Sequence, residues 1–443
     1  MNQTFMKEKN ILPLVLSMSL PMVISMLVNS LYNIIDSYFV AQISENAMTA
    51  LSLVFPLQNL VMAIGVGFGI GINAAVAYFL GAKKERAANN VATQGLILNA
   101  IHGVVLTIGC ILIIPHFLKI FTDNFAVIDY GIKYSYIVFL FSIVITIEVS
   151  MEKIFQSVGK MVVSMISMMS GCIVNIILDP VLIFGLGPAP RMGIEGAAIA
   201  TGIGQVVTLL IYIIFYMVKP MPIRFEFRKQ FKEEKFFRRL YSIGIPATLN
   251  MALPSLLITA LNGILAEYSQ MYILVLGIYY KLQTFIYLTV NGIVQGIRPL
   301  VGYNYGAGES ERVLKIHKVA LYLAMIVMGI GMCICMFAPA GLMGLFATNT
   351  ETIAAGVSAL RIISMGFIVS AVSVICTGTL EGLGKGLPSL VISLMRYIII
   401  IIPMAFILSK FIGAQGVWHG FWITETITAV VSYGIFRKNI AVN

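Results

Sequence analysis

At intervals along this chain begins a run of apolar residues long enough to cross a lipid bilayer. About 20 such residues in a helix span the ~30 Å hydrocarbon layer. The runs lie at about 12–40, 47–73, 92–115, 134–157, 162–186, 194–218, 241–266, 272–297, 314–338, 354–379, 387–411 and 415–436. Twelve spanning helices are therefore predicted, with only the short polar patch Tyr268–Gln270 between the seventh and eighth. Composition agrees: 59% of the 443 residues are hydrophobic and 11% charged, against roughly a quarter charged in soluble chains. Mean hydropathy is +0.94. No polar stretch is long enough for a separate aqueous domain, so this is an integral membrane protein. The polar start Met1–Asn10, with Lys7 and Lys9, leads into a stretch too long for a cleaved signal peptide, which is read as the first span.

Lys and Arg gather on the cytoplasmic side of membrane proteins. With the N-terminus inside, most of the 29 basic residues fall on inner segments. These include Lys83, Lys84 and Arg86, and Arg298, Arg312, Lys315 and Lys318; the stretch Lys219–Arg239 alone holds eight. Both termini are expected in the cytoplasm, with the protein in the cell (inner or plasma) membrane. The net charge of +10 then reflects topology and contact with anionic lipid, and calls for no nucleic-acid partner.

The chain also resembles itself at a shift of 225 residues. Pro21 meets Pro246, Gly67 meets Gly292, Gly71 meets Gly296, and Gly81–Ala82 meets Gly306–Ala307. Phe121, Gly131, Gly159–Lys160 and Ser164 meet Phe346, Gly356, Gly384–Lys385 and Ser389. Beyond these, Gly193 and Gly196 meet Gly413 and Gly416 at a shift of 220, which implies a shorter outer loop in the second half. The expected organisation is a six-helix lobe over 1–218, a basic cytoplasmic linker over 219–236, and a second six-helix lobe over 237–443. Six spans per half make the repeat parallel. Such pseudo-symmetric halves typify secondary transporters that expose a central site to alternate sides.

Enzymatic chemistry finds no support. The five cysteines lie in apolar segments as small fillers, and Cys333 and Cys335, two apart on a helix, diverge. No two of the four histidines stand at metal-ligand spacing. No phosphate-binding loop occurs, so transport is passive or driven by an ion gradient, and no cofactor is expected beyond a transported proton or sodium ion.

Ionisable groups at membrane depth cost at least ~2.5–3.5 kcal/mol and usually serve function. Asp36 lies in the outer third of span one and Asp179 in the outer half of span five. Asn175 and Asp179 are four apart, hence on one helix face, and Pro180 cannot donate to the carbonyl of Ile176 and should bend the helix. These groups can cage a sodium ion, or the two carboxylates can share a proton. In the second half the shifted positions of Asp36 and Asn175 are Leu261 and Ile400, so the acidic site is not duplicated. That half has its own polar set: Asn262, Glu267, Lys281, Gln283, Asn291, Gln295, Arg396 and Glu425. Lys281 needs a partner, with Glu267 the candidate, and Arg396 can pair with Glu425. The ring pair Tyr279–Tyr280 can stack on an organic cation or simply pack the membrane core.

Gly71-Ile-Asn-Ala-Ala-Val-Ala-Tyr-Phe-Leu-Gly-Ala-Lys and Pro299-Leu-Val-Gly-Tyr-Asn-Tyr-Gly-Ala resemble the repeated signature of multidrug and toxic compound extrusion (MATE) transporters. So do Asn175-Ile-Ile-Leu-Asp-Pro and the run Gly193–Ala198, and Asp36 matches that family's acidic residue in span one. The resemblance covers nearly the whole chain. It implies an all-α membrane protein, normally a monomer, that exports small amphipathic, often cationic, organic compounds against inward proton or sodium flow. It also places Tyr134 and Glu152, which bracket span four, near the family's first-lobe polar network. Thr201 and Gln205, four apart on span six, either continue that network or form an interhelical hydrogen bond. Glu152, one turn from Glu148, can instead pair with Lys153. Some relatives carry an acidic coupling residue in span seven, for which Glu267 is the candidate. Flippases for lipid-linked saccharides share the fold and form the alternative function; they need a cation-rich cavity.

Overall fold

A computed structural model describes residues 4–226 and 234–440. The described residues are helical throughout, without strands. A single turn, α1 (Phe5–Glu8), precedes α2 (Ile11–Ala41), α3 (Glu45–Gly81), α4 (Glu85–Phe121), α5 (Phe125–Leu140), α6 (Ser142–Ser157), α7 (Met161–Phe184) and α8 (Ile194–Val218). The second half holds α9 (Glu234–Ala266), α10 (Gln270–Gly306), α11 (Ser310–Phe337), α12 (Pro339–Gly344), α13 (Thr350–Ser364) and α14 (Phe367–Gly382). It ends with α15 (Gly386–Leu394), a π-helical turn Met395–Ile399, α16 (Ile401–Ile412) and α17 (Ala414–Ile440).

Nine of the described helices are long and apolar enough to cross a membrane, and α13 with α14, bent by 54°, make a tenth. The other two expected spans correspond to α5 with α6 and to α17. The fourth span of each half is thus two helices, where the apolar run alone suggested one. The breaks fall at equivalent positions, Phe141 and Gly366, 225 residues apart. Each packs against the last helix of its half, and the pairing inverts large and small. The Phe141 ring occupies the space above Gly202, where an added Cβ would come within 2.2 Å of it. Gly366 instead makes room for Trp422, whose Cα would lie 2.9 Å from such a Cβ. Volume is conserved while the partners exchange size, the substitution that packed interiors tolerate best.

Chain contacts divide the molecule into two compact units. One is Ile24–Thr248; the other joins Thr4–Val23 to the chain from Leu249 onward. The division therefore cuts α2 and α9 in mid-helix, at positions 225 residues apart, and differs from a split in chain order. The repeated glycines explain it. In the first unit Gly67 of α3 sits so close to α9 that a Cβ would lie 2.7 Å from the Thr248 backbone nitrogen. In the second, Gly292 of α10 meets α2 equally closely, 2.8 Å from the backbone nitrogen of Val23. Small residues let helix backbones approach where the hydrophobic effect offers no drive between helices. Of the basic stretch 219–236, residues 227–233 lie outside the described chain. Its start is tied to α4: Asn89 accepts from the Arg224 N–H at 2.9 Å and Thr93 from the Glu226 N–H at 3.2 Å.

Candidate cation site and aromatic cavity

In the first unit α2, α5, α7 and α8 bring polar side chains together inside an apolar wall. Asp179 is fully buried, Asn175 is 2% exposed and Asp36 8%. Helical spacing puts Asn175 one turn before Asp179, and its amide nitrogen donates to the Asp179 carboxylate and to the Thr201 hydroxyl, both at 3.4 Å. Asp36 approaches from α2, near enough to Asp179 and Tyr134 for their charges to interact. Tyr32, one turn before Asp36, comes near Thr201. Gln58 of α3 donates to the Tyr134 hydroxyl at 3.1 Å. Pro180 leaves α7 unbroken as far as Phe184.

Three acceptor atoms of this cluster, Asp36 Oδ1, Asn175 Oδ1 and Asp179 Oδ2, are buried with no hydrogen-bond partner, as is Gln205 Oε1 on α8. No lysine or arginine pairs with either aspartate among the described residues. Buried carboxylates without a partner are costly, and oxygen ligands suit a hard cation. Charge, polarity and burial here match a proton or a small alkali ion. Among the described residues no three His, Cys, Asp or Glu side chains could hold a metal ion together.

Glu152 has other partners. Its carboxylate accepts from Lys153 at 3.0 Å and from Gln156 at 2.5 Å, and all three side chains are buried on α6. Asn73 of α3 donates to the Lys153 carbonyl at 3.1 Å. Glu148 lies close enough to interact with Glu152, Lys153 and Tyr212.

In the second unit the Arg396 guanidinium, 7% exposed, closes on Glu425 of α17. Its Nε reaches the two carboxylate oxygens at 2.8 and 3.1 Å, and Nη2 donates at 2.7 Å. The same group donates to the hydroxyls of Tyr287 and Tyr397 at 3.0 and 3.3 Å. Tyr280, Gln283 and Asn291 line a cavity beside this pair. The expected Lys281–Glu267 pairing does not form. Glu267 is exposed and bonds Lys410 at 2.7 Å, while Lys281 is exposed and lies 5.6 Å from the centre of the Phe346 ring. Placement near the end of α9 (Glu234–Ala266) leaves Glu267 on the surface. Asn262 and Gln295 are half-buried on α9 and α10.

A family model described as MatE matches residues 21–181 and again 246–407. The chain belongs to the MatE family. The two matched segments begin 225 residues apart, the period read from the glycines. The multidrug export protein MepA of Staphylococcus haemolyticus is 26% identical over 429 residues, covering 97% of this chain and 94% of that protein. MepA of Staphylococcus aureus is 26% identical over 419 residues, covering 94% and 91%. A MATE crystal structure in the straight conformation superposes with a TM-score of 0.93 at 24% identity, over 100% of this chain and 98% of that one. A MOP superfamily transporter from Pyrococcus furiosus does so at 0.92 and 23%, with the same coverage. The fold of this MatE chain is therefore that of the solved MATE transporters.

Several residues of these sites escaped sequence reasoning. Tyr32 and Gln58 are single polar groups in apolar helices, where only their neighbours in space give them meaning. Tyr287 and Tyr397 stand in apolar runs with no motif around them. Their signal was the arginine at membrane depth, which must find acceptors and ring faces nearby.

Proposed function

We propose that this MatE chain is a cation-coupled exporter of small amphipathic organic compounds, with Asp36, Asn175 and Asp179 as the coupling site and Thr201 beside them. The observation carrying this reading is the set of three buried, unpartnered acceptor oxygens on those three residues. A proton or sodium ion entering there supplies the missing charge and the missing bonds. Two adjacent carboxylates repel each other, and one cation relieves that repulsion. Coupling follows if the cation and the exported compound favour different conformations, since a ligand shifts an equilibrium only by its differential affinity. The staphylococcal relatives are multidrug export proteins by name, which supports export of diverse compounds. The basic segments support an orientation with both termini in the cytoplasm. Lipid-saccharide flipping is less well served: Glu425 neutralises Arg396, which leaves Lys281 as the one of the two expected cations without a carboxylate among the described residues, short of a cation-rich cavity.

The test is efflux from proteoliposomes carrying a fluorescent organic cation, with pH and sodium gradients imposed one at a time. One gradient should drive efflux in the natural protein. Asp36→Asn and Asp179→Asn should abolish the response at equal reconstitution while leaving dye binding in place. Full gradient-driven efflux by both variants overturns the coupling assignment.

A further inference from the structure

The second unit contains a cavity of about 310 Å³ bounded by α9, α10, α17 and the π-helical turn at Arg396. Drug-sized sites occupy about 300–1,000 Å³, so this one suits a small guest. Tyr280, Tyr287, Tyr397 and Phe421 give it flat aromatic walls. Its two charged residues satisfy each other. Arg396 is bound to Glu425 through two of its nitrogens, Ser373 donates to the same carboxylate at 3.4 Å, and the two tyrosine hydroxyls take further guanidinium protons. The wall thus carries both signs but no uncompensated charge. A charged guest finds no free counter-ion among the lining residues: pairing with Arg396 or Glu425 would open a well-bonded ion pair, and leaving either partner alone there is strongly unfavourable.

Hydrogen-bonding capacity remains. Gln283 and Asn291 face the cavity without a hydrogen bond to any described residue, and the Tyr280 hydroxyl is buried in its wall without a partner. An amide or carbonyl on a flat ring system answers both features: the ring fills the aromatic slot and the heteroatoms take up the amides.

We propose that this cavity is a binding site for uncharged, planar aromatic molecules bearing a lactam, amide or carbonyl group. That such molecules are also exported rests on the exporter reading above; their binding does not.

The chain supplies its own reporter. Its two tryptophans, Trp418 and Trp422, flank Phe421 on α17. The purified full-length protein would be titrated with carbostyril, a neutral lactam, and with N-methylquinolinium, a cation of similar outline, following tryptophan emission against a free tryptophan-amide control. Saturable quenching by carbostyril at an affinity at least about tenfold above that of the cation is expected. Gln283→Leu, which breaks no described bond, should weaken carbostyril binding about tenfold. Glu425→Gln should uncover Arg396 and turn preference toward the anion quinoline-carboxylate; if that variant does not fold, Gln283→Leu carries the test. Absent quenching, equal binding of the cation, or unchanged affinity in Gln283→Leu overturns the proposal. Asp36→Asn should leave quenching intact. Loss of the coupling result with quenching retained would sink only the coupling reading, and the reverse outcome only this one.

Discussion

Asn175 turns its amide nitrogen to the Asp179 carboxylate one helical turn below, at 3.4 Å, and so leaves its own oxygen buried and unpartnered. One side chain thus steadies an acid and offers a ligand atom. Asn175→Leu keeps the volume and removes both roles. The melting temperature of the natural protein should rise with the coupling cation, because a ligand that binds only the folded state stabilises it by mass action. In Asn175→Leu the cation midpoint should move about tenfold, roughly 1.4 kcal/mol of lost binding. A thermal-shift titration against sodium and against pH checks this, and an unmoved midpoint would remove Asn175 from the site.

The Phe141–Gly202 contact lies one residue from Thr201 and sets how closely α8 approaches the broken fourth span. A Cβ at Gly202 would fall 2.2 Å from the Phe141 ring. Gly202→Val should therefore cost about 1–3 kcal/mol by overpacking. Part of that cost should vanish in a Phe141→Ala background, where the ring is gone. The four proteins of this double-mutant cycle, compared by thermal unfolding in one detergent, should show a coupling energy of about 0.5–3 kcal/mol. Additive costs would mean the two residues do not meet.

Hydropathy and glycine period together made the helical membrane architecture and the 225-residue repeat legible, because bilayer thickness and helix approach are written into local residue type. The breaks at Phe141 and Gly366 were not. They depend on a size exchange between residues 60 positions apart or nearly so, which a window along the chain does not see. Asp36 and Asp179 stood out because charge at depth is rare, and Asn175 because it stands one turn before Asp179. Glu152 entered through the resemblance, with Lys153 as the alternative partner, and Lys153 and Gln156 are the groups that bind it. Cost at depth marks an ionisable residue without saying who its partner is. Glu267 and Lys281 illustrate the same point: the expected pair does not form, and each has another neighbour, Lys410 and the Phe346 ring.

The Glu152–Lys153 pair gives a direct test of a structural role. Both side chains are buried, so removing one partner strands the other. Glu152→Gln should destabilise the protein by about 3–5 kcal/mol. Glu152→Gln combined with Lys153→Met removes the charge of both and should recover most of that loss. Efflux per folded molecule should stay near the natural value in the double variant. Loss of gradient response in a stable double variant would instead make Glu152 part of the coupling path.

A pH dependence of efflux near neutrality has to originate somewhere, and one surface ion pair can be eliminated as its source. Lys7 of α1 meets Glu309, just before α11, at 2.7 Å, while Asn304 and Arg312 hold the Met6 carbonyl at 3.1 and 3.2 Å. The shared hydrogen bond is the main cause that raises the Lys7 ammonium above its ordinary value of 10.5 and lowers the Glu309 carboxyl below its ordinary 4.5. A raised amine contributes fully below its unfolded value and loses that contribution as pH climbs through the folded one. A lowered carboxyl contributes fully above its unfolded value and loses it as pH falls through the folded one. The tether is therefore constant between about pH 5 and 10 and, being exposed, weakens with salt. Hydrogen exchange at α1, corrected for intrinsic rates, should be flat across that window and faster in Lys7→Met. Should efflux by Lys7→Met keep the pH profile of the natural protein, the titrating group lies elsewhere, and Asp36 and Asp179 are the first to test, since the coupling proposal rests on them. A profile that disappears with Lys7 would assign the pH response to the tether instead.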